Sequence, residues 1–587
     1  MTTIPALSLR QAGPADWSAI ETLLLAHGLP TQGAREHLAH FLLAHQGGEL
    51  VACAGIERYG DLGLLRSVAV APGLLRQGIG GSLLATLLTQ ARRRGLHRLY
   101  LLTTTAAAYF ERLGFQRLPR ADLPAALQAS AELRGACPAS ATAMALSLIE
   151  AGSMDDKLPV AVLGAGPVGL AAAAHLLERG LRPLILEAGS SVGAHLLDYG
   201  HVRLFSPWRF NLDAAMARQL RAAGGWQAPP EEALPLAREV VEQVLRPYAA
   251  LPAVAAALRL STRVTAISRE GFDKVKTAGR EQAPFLIRAR QADGGEIELR
   301  ARAVIDATGT WGQPNPAGAN GLPAPGESAL AARRIAYGIP DVLGAARERY
   351  AGRRTLVVGA GHSAANVLLD LATLAEQVPG TRLAWATRSP APERAFGGGA
   401  RDALPARGRL GSALRALRRD GRLEFFGGLR ITALREAADG SMTVQGQDLT
   451  LDGFDQLIVA TGQRPDLGLT RELRLKLDPW LESTEALGPL IDPNLHSCGT
   501  VRPHGHRELA HPEPGFYTLG VKSYGRAPTF LMATGFEQAR SVAAALAGDL
   551  AAADRVELEL PQTGVCGIGI PVQPAAGAAA TRSACCG

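Results

Sequence analysis

The sequence predicts an α/β protein: a mixed sheet flanked by helices at the front, followed by two units built on parallel sheets. Three observations predict it. Short apolar strands run directly into glycine turns that open apolar helices at 64–94, 158–187 and 353–388. Behind the first of these helices another strand, Tyr100 to Thr103, leads into a short helix closed by Gly114. At 587 residues the chain is longer than one hydrophobic core serves, so roughly two to four domains are expected.

Composition narrows the class. Apolar residues at 47% and charged residues at 20% are an ordinary soluble balance. The net charge of +7 is spread over scattered arginines without a long basic run, and aromatics are only 5%. That argues against nucleic acid and points to cofactor phosphates as the anions served. No stretch approaches the ~20 apolar residues of a membrane span, and Met1 to Pro14 has no signal-like apolar core. Six cysteines make no disulfide framework, so a reducing cytoplasm is expected, with small molecules as partners. Oligomeric state is not legible.

Composition also sets boundaries. A front domain over 1–150 ends in a polar linker, 151–157. The first dinucleotide domain runs over 158–345, the second is nested at 346–465, and the first resumes at 466–556. The remaining 557–587 reads as a flexible tail of Gly, Ala and Pro.

In the front domain, LLRSVAV (64–70) reads as a strand, and Gln77-Gly78-Ile79-Gly80-Gly81 opens a helix through Arg94. Free N–H groups at the positive end of a helix suit a pyrophosphate. The order of strand, glycine-loop helix, strand and a helix ending in LGF resembles the GNAT acetyltransferases. LLRSVAVAP, LLTTTAAAYFERLGF and the ending from Ala129 to Met144 resemble their arsenic-resistance subgroup. The resemblance implies that acetyl-CoA lies on Gln77, Gly78, Gly80 and Gly81 and pairs with Val68 and Val70. It implies N-acetylation of an amine, with an arsenic-containing amino acid as a candidate. The arginine that opens the family loop would fall at Leu75, and the tyrosine that protonates the departing thiolate would fall at Phe110. Tyr109 stands one place early, and one residue turns a helical side chain by ~100°. Glu57 and Arg66 are the polar residues expected nearest the acceptor, or else a solvated pair between strands. Without turnover, the block would be an acyl-CoA sensor.

Residues 158–187 carry Gly164, Gly166 and Gly169 between a buried strand and an Ala-rich helix, and a second strand ends at Glu187. The first glycine turns the chain, the second admits a pyrophosphate and the third lets the helix touch the sheet. The acid meets a ribose hydroxyl. Residues 353–388 repeat the pattern with Gly359, Gly361, Ser363 and Ala364, but the strand ends at Arg388. A cation there attracts a 2′-phosphate, so NADPH is expected over NADH. AVIDATG to Gly309, LIVATG to Gly462 and the return segment around Gly520 resemble the two-dinucleotide flavoproteins, and Gly359 to Asn366 is similar to flavin-containing monooxygenases. That resemblance implies FAD on the first loop, Gly309, Gly462 and Gly520.

Two departures stand out. Val521 follows Gly520 where an aspartate is usual, and 335–350 lacks the histidine of the monooxygenase linker. No cysteine occurs from Pro138 to Ser497, so the dithiol of the disulfide reductases is missing. NADPH-driven oxidation of a soft nucleophile, an arsenical included, is the expected chemistry, with plain NADPH oxidase or reductase action beside it. His201, Ser206, Trp208 and Arg209 are candidates for the flavin face, or ordinary core and turn residues. In the tail, Cys566, Cys585 and Cys586 suit a soft metal or metalloid.

Overall fold

The computed structural model divides the chain into two compact units, Met1–Met154 and Asp155–Gly587. It describes residues 7–148, 158–495 and 501–558, except 76, 97, 139, 398, 400, 401, 403, 528 and 529. The linker at 151–157 and the tail cysteines Cys566, Cys585 and Cys586 lie outside the described residues.

The front unit is a seven-stranded mixed sheet. Its strands are β1 (Leu7–Gln11), β2 (Phe41–Gln46), β3 (Glu49–Tyr59), β4 (Leu62–Val70), β5 (Arg98–Thr103), β6 (Gln116–Leu118) and β7 (Thr142–Ser147), in the order β1-β2-β3-β4-β5-β7-β6. Alternation along β2 sends Leu42 and Ala44 to one core, with helix α2 (Ile79–Arg93), and Phe41 and Leu43 to another, with α1 (Trp17–Ala26). All strand pairs are antiparallel except β4 with β5, which is parallel and stops at Leu64–Tyr100. Beyond Leu64 these strands part, while β4 stays on β3 as far as Val70. A register shift in β3 between Cys53 and Gly55 and a positive φ of 57° at Ser67 re-aim β4 just there. The split leaves the β5-facing edge of β4 at Val68 and Val70 free for an extended ligand.

The rear unit has two five-stranded parallel sheets. The first has the order β10-β9-β8-β14-β23, from β8 (Val160–Leu163), β9 (Pro183–Leu186), β10 (Leu258–Arg259), β14 (Ala303–Asp306) and β23 (Phe516–Thr518). A three-stranded antiparallel sheet, β11 (Arg263–Arg269), β12 (Phe285–Arg290) and β13 (Glu296–Ala301), is inserted before β14. The second parallel sheet lies in sequence between β14 and β23. Its order is β15-β22-β16-β17-β18, from β15 (Ile335–Tyr337), β16 (Arg354–Val358), β17 (Arg382–Thr387), β18 (Glu424–Gly427) and β22 (Gln456–Val459). It carries its own antiparallel insert, β19 (Ile431–Glu436), β20 (Met442–Gly446) and β21 (Thr450–Phe454). Helix α3 (Ala107–Arg112) belongs to the front unit and α4 (Pro167–Glu178) follows β8 in the rear one. The α4 face is nearly all alanine, and five consecutive residues, Leu170 to Ala174, are fully buried. Small side chains let α4 and the helix Met532–Leu546 pack closely over the first sheet. No described helix is long and apolar enough to cross a membrane.

Candidate functional site

In the front unit, α2 opens at Ile79 directly behind Gly78, whose φ of 84° makes the turn. The first helical hydrogen bond runs from Ser82 N–H to the Gly78 carbonyl at 3.0 Å, so the preceding N–H groups have no intrahelical acceptor. A Cβ at Gly78 or Gly81 would meet nothing within 4 Å, which leaves room for a diphosphate against the backbone. Gln77 is exposed at the loop's rim. At Gly80 a Cβ would come within 3.2 Å of Val70 Cγ2 and 3.6 Å of the Tyr109 hydroxyl. Tyr109 therefore aims its phenol at the loop and the free stretch of β4. Phe110 turns into the core against Phe115. Tyr109, and not Phe110, is the ring that faces the glycine loop. Partial burial raises its pKa and keeps it a proton donor.

Glu57 and Arg66 are not a solvated pair. They are 1% and 2% exposed and ion-paired through Arg66 Nη1. Arg66 also donates to the carbonyls of Gln32 (2.8 Å) and Pro30 (3.3 Å), and its Nε lies 3.4 Å from the Glu132 carboxylate. Tyr59 donates to Glu57 at 2.7 Å. Sequence reasoning missed Glu132, which sits in the segment between β6 and β7 and has no motif of its own. Burial pushes its pKa up to about 7 against the opposing pull of Arg66.

The first dinucleotide loop fits a flavin nucleotide. Gly164 has a φ of 92°, and a Cβ there would sit 2.8 Å from the Ala307 carbonyl oxygen. A Cβ on Gly169 would overlap the Gly164 carbonyl oxygen, while Gly166, the helix N-cap, faces open space. Glu187 follows the end of β9, its carboxylate accepting the N–H groups of Ala165 and Gly189, both at 2.7 Å. Gly309 and Gly520 both have a φ of 71°, and a Cβ on Gly309 would lie 3.8 Å from Val521. The return segment thus reaches the AVIDATG turn despite its missing aspartate. Two polar networks unseen in the sequence hold it. Gln538 accepts the Gly520 N–H at 2.8 Å, and Lys522 donates to Asp306 at 2.7 Å and Thr308 at 2.9 Å.

Gly462 follows β22 in the second sheet, where its carbonyl accepts the Asn315 N–H. It sits near the second loop, because a Cβ on Gly359 (φ 140°) would overlap the nearby Ala460 carbonyl oxygen. Gly361 is the N-cap of the helix His362–Gln377 and faces open space; Ser363 lies in its first turn, and Ala364 is buried against the sheet. Arg388 is exposed one residue past β17. Among the flavin-face candidates, Trp208 is core, Ser206 is bonded to Asn211 and Arg209 pairs with Glu232. His201 remains half-buried. Among the described residues no His, Cys, Asp and Glu group is arranged for a metal.

Family models match this chain twice: the acetyltransferase (GNAT) family over 10–115, and pyridine nucleotide-disulphide oxidoreductase over 161–487. The second match spans more than half the chain. The chain belongs to the pyridine nucleotide-disulphide oxidoreductase family and carries a GNAT acetyltransferase domain at its front. An amino-acid acetyltransferase of Neisseria meningitidis is 32% identical over 127 residues, covering 20% of this chain and 29% of that protein. Indole-3-pyruvate monooxygenase YUCCA1 of Oryza sativa subsp. japonica is 31% identical over 218 residues, 36% of this chain and 44% of that one. The chain thus spans under half the length of these curated relatives. A solved flavin-containing monooxygenase from Stenotrophomonas maltophilia covers 66% of this chain and 98% of its own, with a TM-score of 0.42 and 23% identity. The cofactors are acetyl-CoA for the front domain and FAD with NADPH for the rear.

Proposed function

We propose that the chain is a bifunctional enzyme. Its front domain is an acetyl-CoA-dependent N-acetyltransferase, and its rear domain is an FAD- and NADPH-dependent oxidoreductase of the monooxygenase kind. One observation supports each half. The Tyr109 hydroxyl beside Gly80 supports turnover in front, because a phenol next to the glycine loop can supply the proton that a departing thiolate needs. In the rear domain, the family match over 161–487 contains no cysteine, so the cysteine pair that disulfide reductases carry beside the flavin is missing from that stretch. Bound flavin supplies hydride acceptance from NADPH and, once reduced, reaction with O₂. The chain's own residues bind and orient it: the Gly164 loop holds the diphosphate, Glu187 the ribose and the Gly520 turn the return side. Arg388 favours the 2′-phosphate of NADPH.

The substrates are read as a small amine in front and a soft nucleophile behind, an arsenical among the candidates, in cytoplasmic detoxification or arsenic resistance. The test starts from the purified full chain. It should be yellow, oxidise NADPH faster than NADH, and do so faster still with thiols, sulfides or trivalent arsenicals. With acetyl-CoA it should release CoA thiol when given primary amines, including arsenic-containing amino acids. A colourless protein that takes up no FAD overturns the rear reading. Acetyl-CoA binding without thiol release to any amine overturns the front one.

A further inference from the structure

The turn that opens the return segment is held from behind by a buried amide and a buried histidine. Gly520 begins the short helical turn Gly520–Tyr524 and abuts the first turn of α4, where a Cβ on Gly520 would lie 3.4 Å from Val168 Cβ. Val168 stands two residues past Gly166, so the position of Gly520 is coupled to the first glycine loop. Gly535, in the helix Met532–Leu546, backs onto the same side chain, because a Cβ there would overlap Val168 Cγ2. Three residues along that helix is Gln538, which is fully buried.

Gln538 and its partners admit one arrangement of protons. The Gly520 N–H can only donate, so the atom 2.8 Å from it is the Gln538 amide oxygen. The amide nitrogen then lies 2.9 Å from both Ser523 Oγ and His504 Nε2. Ser523 donates its own hydrogen to the Gly520 carbonyl at 2.7 Å and so accepts from Gln538. At the far end, His504 Nδ1 is 3.1 Å from the Arg502 carbonyl, which can only accept, so Nδ1 carries the ring hydrogen. His504 Nε2 is thus an acceptor and the ring is neutral. All four residues are buried, so a broken link leaves a polar group unpaired in the interior.

A proton on His504 Nε2 breaks this arrangement. It sets an N–H against the Gln538 NH2 group, and the two repel. Turning the amide over satisfies the histidine but sets the NH2 group against the Gly520 N–H, and the turn loses its hydrogen bond. We propose that His504 positions the Gly520 turn through Gln538, and that FAD is retained only while this histidine is neutral. This rests on the flavin reading of the rear domain.

The titratable and charged groups around His504 are Arg502 and Glu508 on its own segment, Glu537 on the helix Met532–Leu546, and Tyr524, whose ring lies 5.6 Å away. Glu508 is ion-paired with Arg502, and Glu537 with Arg540. Burial holds the His504 pKa below the ordinary histidine value against the pull of the two glutamates. The neutral ring is the one bonded to Gln538, so the cofactor is held above the ordinary histidine range and lost as pH falls through it.

The test dilutes the full-length holoprotein into buffers from about pH 8 to about pH 5 and reads released FAD by free-flavin fluorescence. The Kd should be level down to about pH 6.5 and then rise by up to ~10-fold per pH unit. His504→Gln keeps an acceptor for Gln538 but takes no proton. It should bind FAD within a few-fold of wild type at about pH 8 and stay level in acid. His504→Leu has no acceptor, and its Kd should be ~10-fold higher with no acid step. Gln538→Glu offers a protonated histidine a carboxylate, so its Kd should not rise in acid. A wild-type Kd that stays level to about pH 5, or an acid step of wild-type size in His504→Gln or Gln538→Glu, overturns the assignment and leaves flavin binding intact. Protein that holds no FAD even at about pH 8 removes the flavin reading, and this inference with it.

Discussion

The two dinucleotide loops of the rear unit solve one packing problem in different ways. Gly164 and Gly359 do the same work: each turns at positive φ and backs onto the carbonyl of a neighbouring strand end, Ala307 and Ala460 respectively. They diverge at the third position. Gly169 lies so close to the Gly164 carbonyl that no side chain fits, whereas the second loop accommodates Ala364 in a buried site. They diverge again at the strand end, Glu187 against Arg388. Close helix–sheet approach is demanded only of the first loop, and the opposite strand-end charges are what a proposed preference for a ribose at one and a 2′-phosphate at the other rests on.

The largest effect should come from Gly169→Ala. Its Cβ has to displace the Gly164 backbone, so the protein should purify without flavin, read as loss of the visible absorbance. Arg388→Ala should raise the KM for NADPH by ~10-fold and leave that for NADH nearly unchanged, as expected for one exposed charge-assisted contact. If both change together, the strand-end comparison fails. Glu187→Gln keeps the shape of the first strand end but removes its charge. FAD affinity should fall by a few-fold to ~10-fold, measured by fluorescence titration of the apoprotein. The smallest effect should be Ala364→Gly. It removes a buried methyl and loosens a helix start, for ~1 kcal/mol at most by thermal unfolding, with NADPH still bound.

How much of this was legible depended on sequence distance. The three glycine loops were readable because turn, helix start and strand lie within a few residues of one another. The tyrosine at 109 was readable as a candidate, but not its direction. Phe110 takes the core because its ring has no hydroxyl to satisfy and packs on Phe115, and that packing rotates Tyr109 outwards. Gly462 was readable as a strand-ending ATG turn inside the second domain, but the contact of that turn with Asn315 was not, because the two lie 147 residues apart in the chain. Lys522 and Asp306 lie 216 residues apart in the chain, and neither has a local pattern that announces the other.

Local chemistry therefore determined the fold class, the three glycine turns that open helices and the charge at each strand end, since backbone turns and helix starts are set by neighbours in the chain. Tertiary structure alone decided which face Tyr109 presents, that Arg66 is shared among Glu57, Glu132 and two carbonyls, and what holds the Gly520 turn without its aspartate. Those arrangements are set by burial, where a charged or polar group must find partners wherever the fold brings them, and sequence spacing carries no record of that.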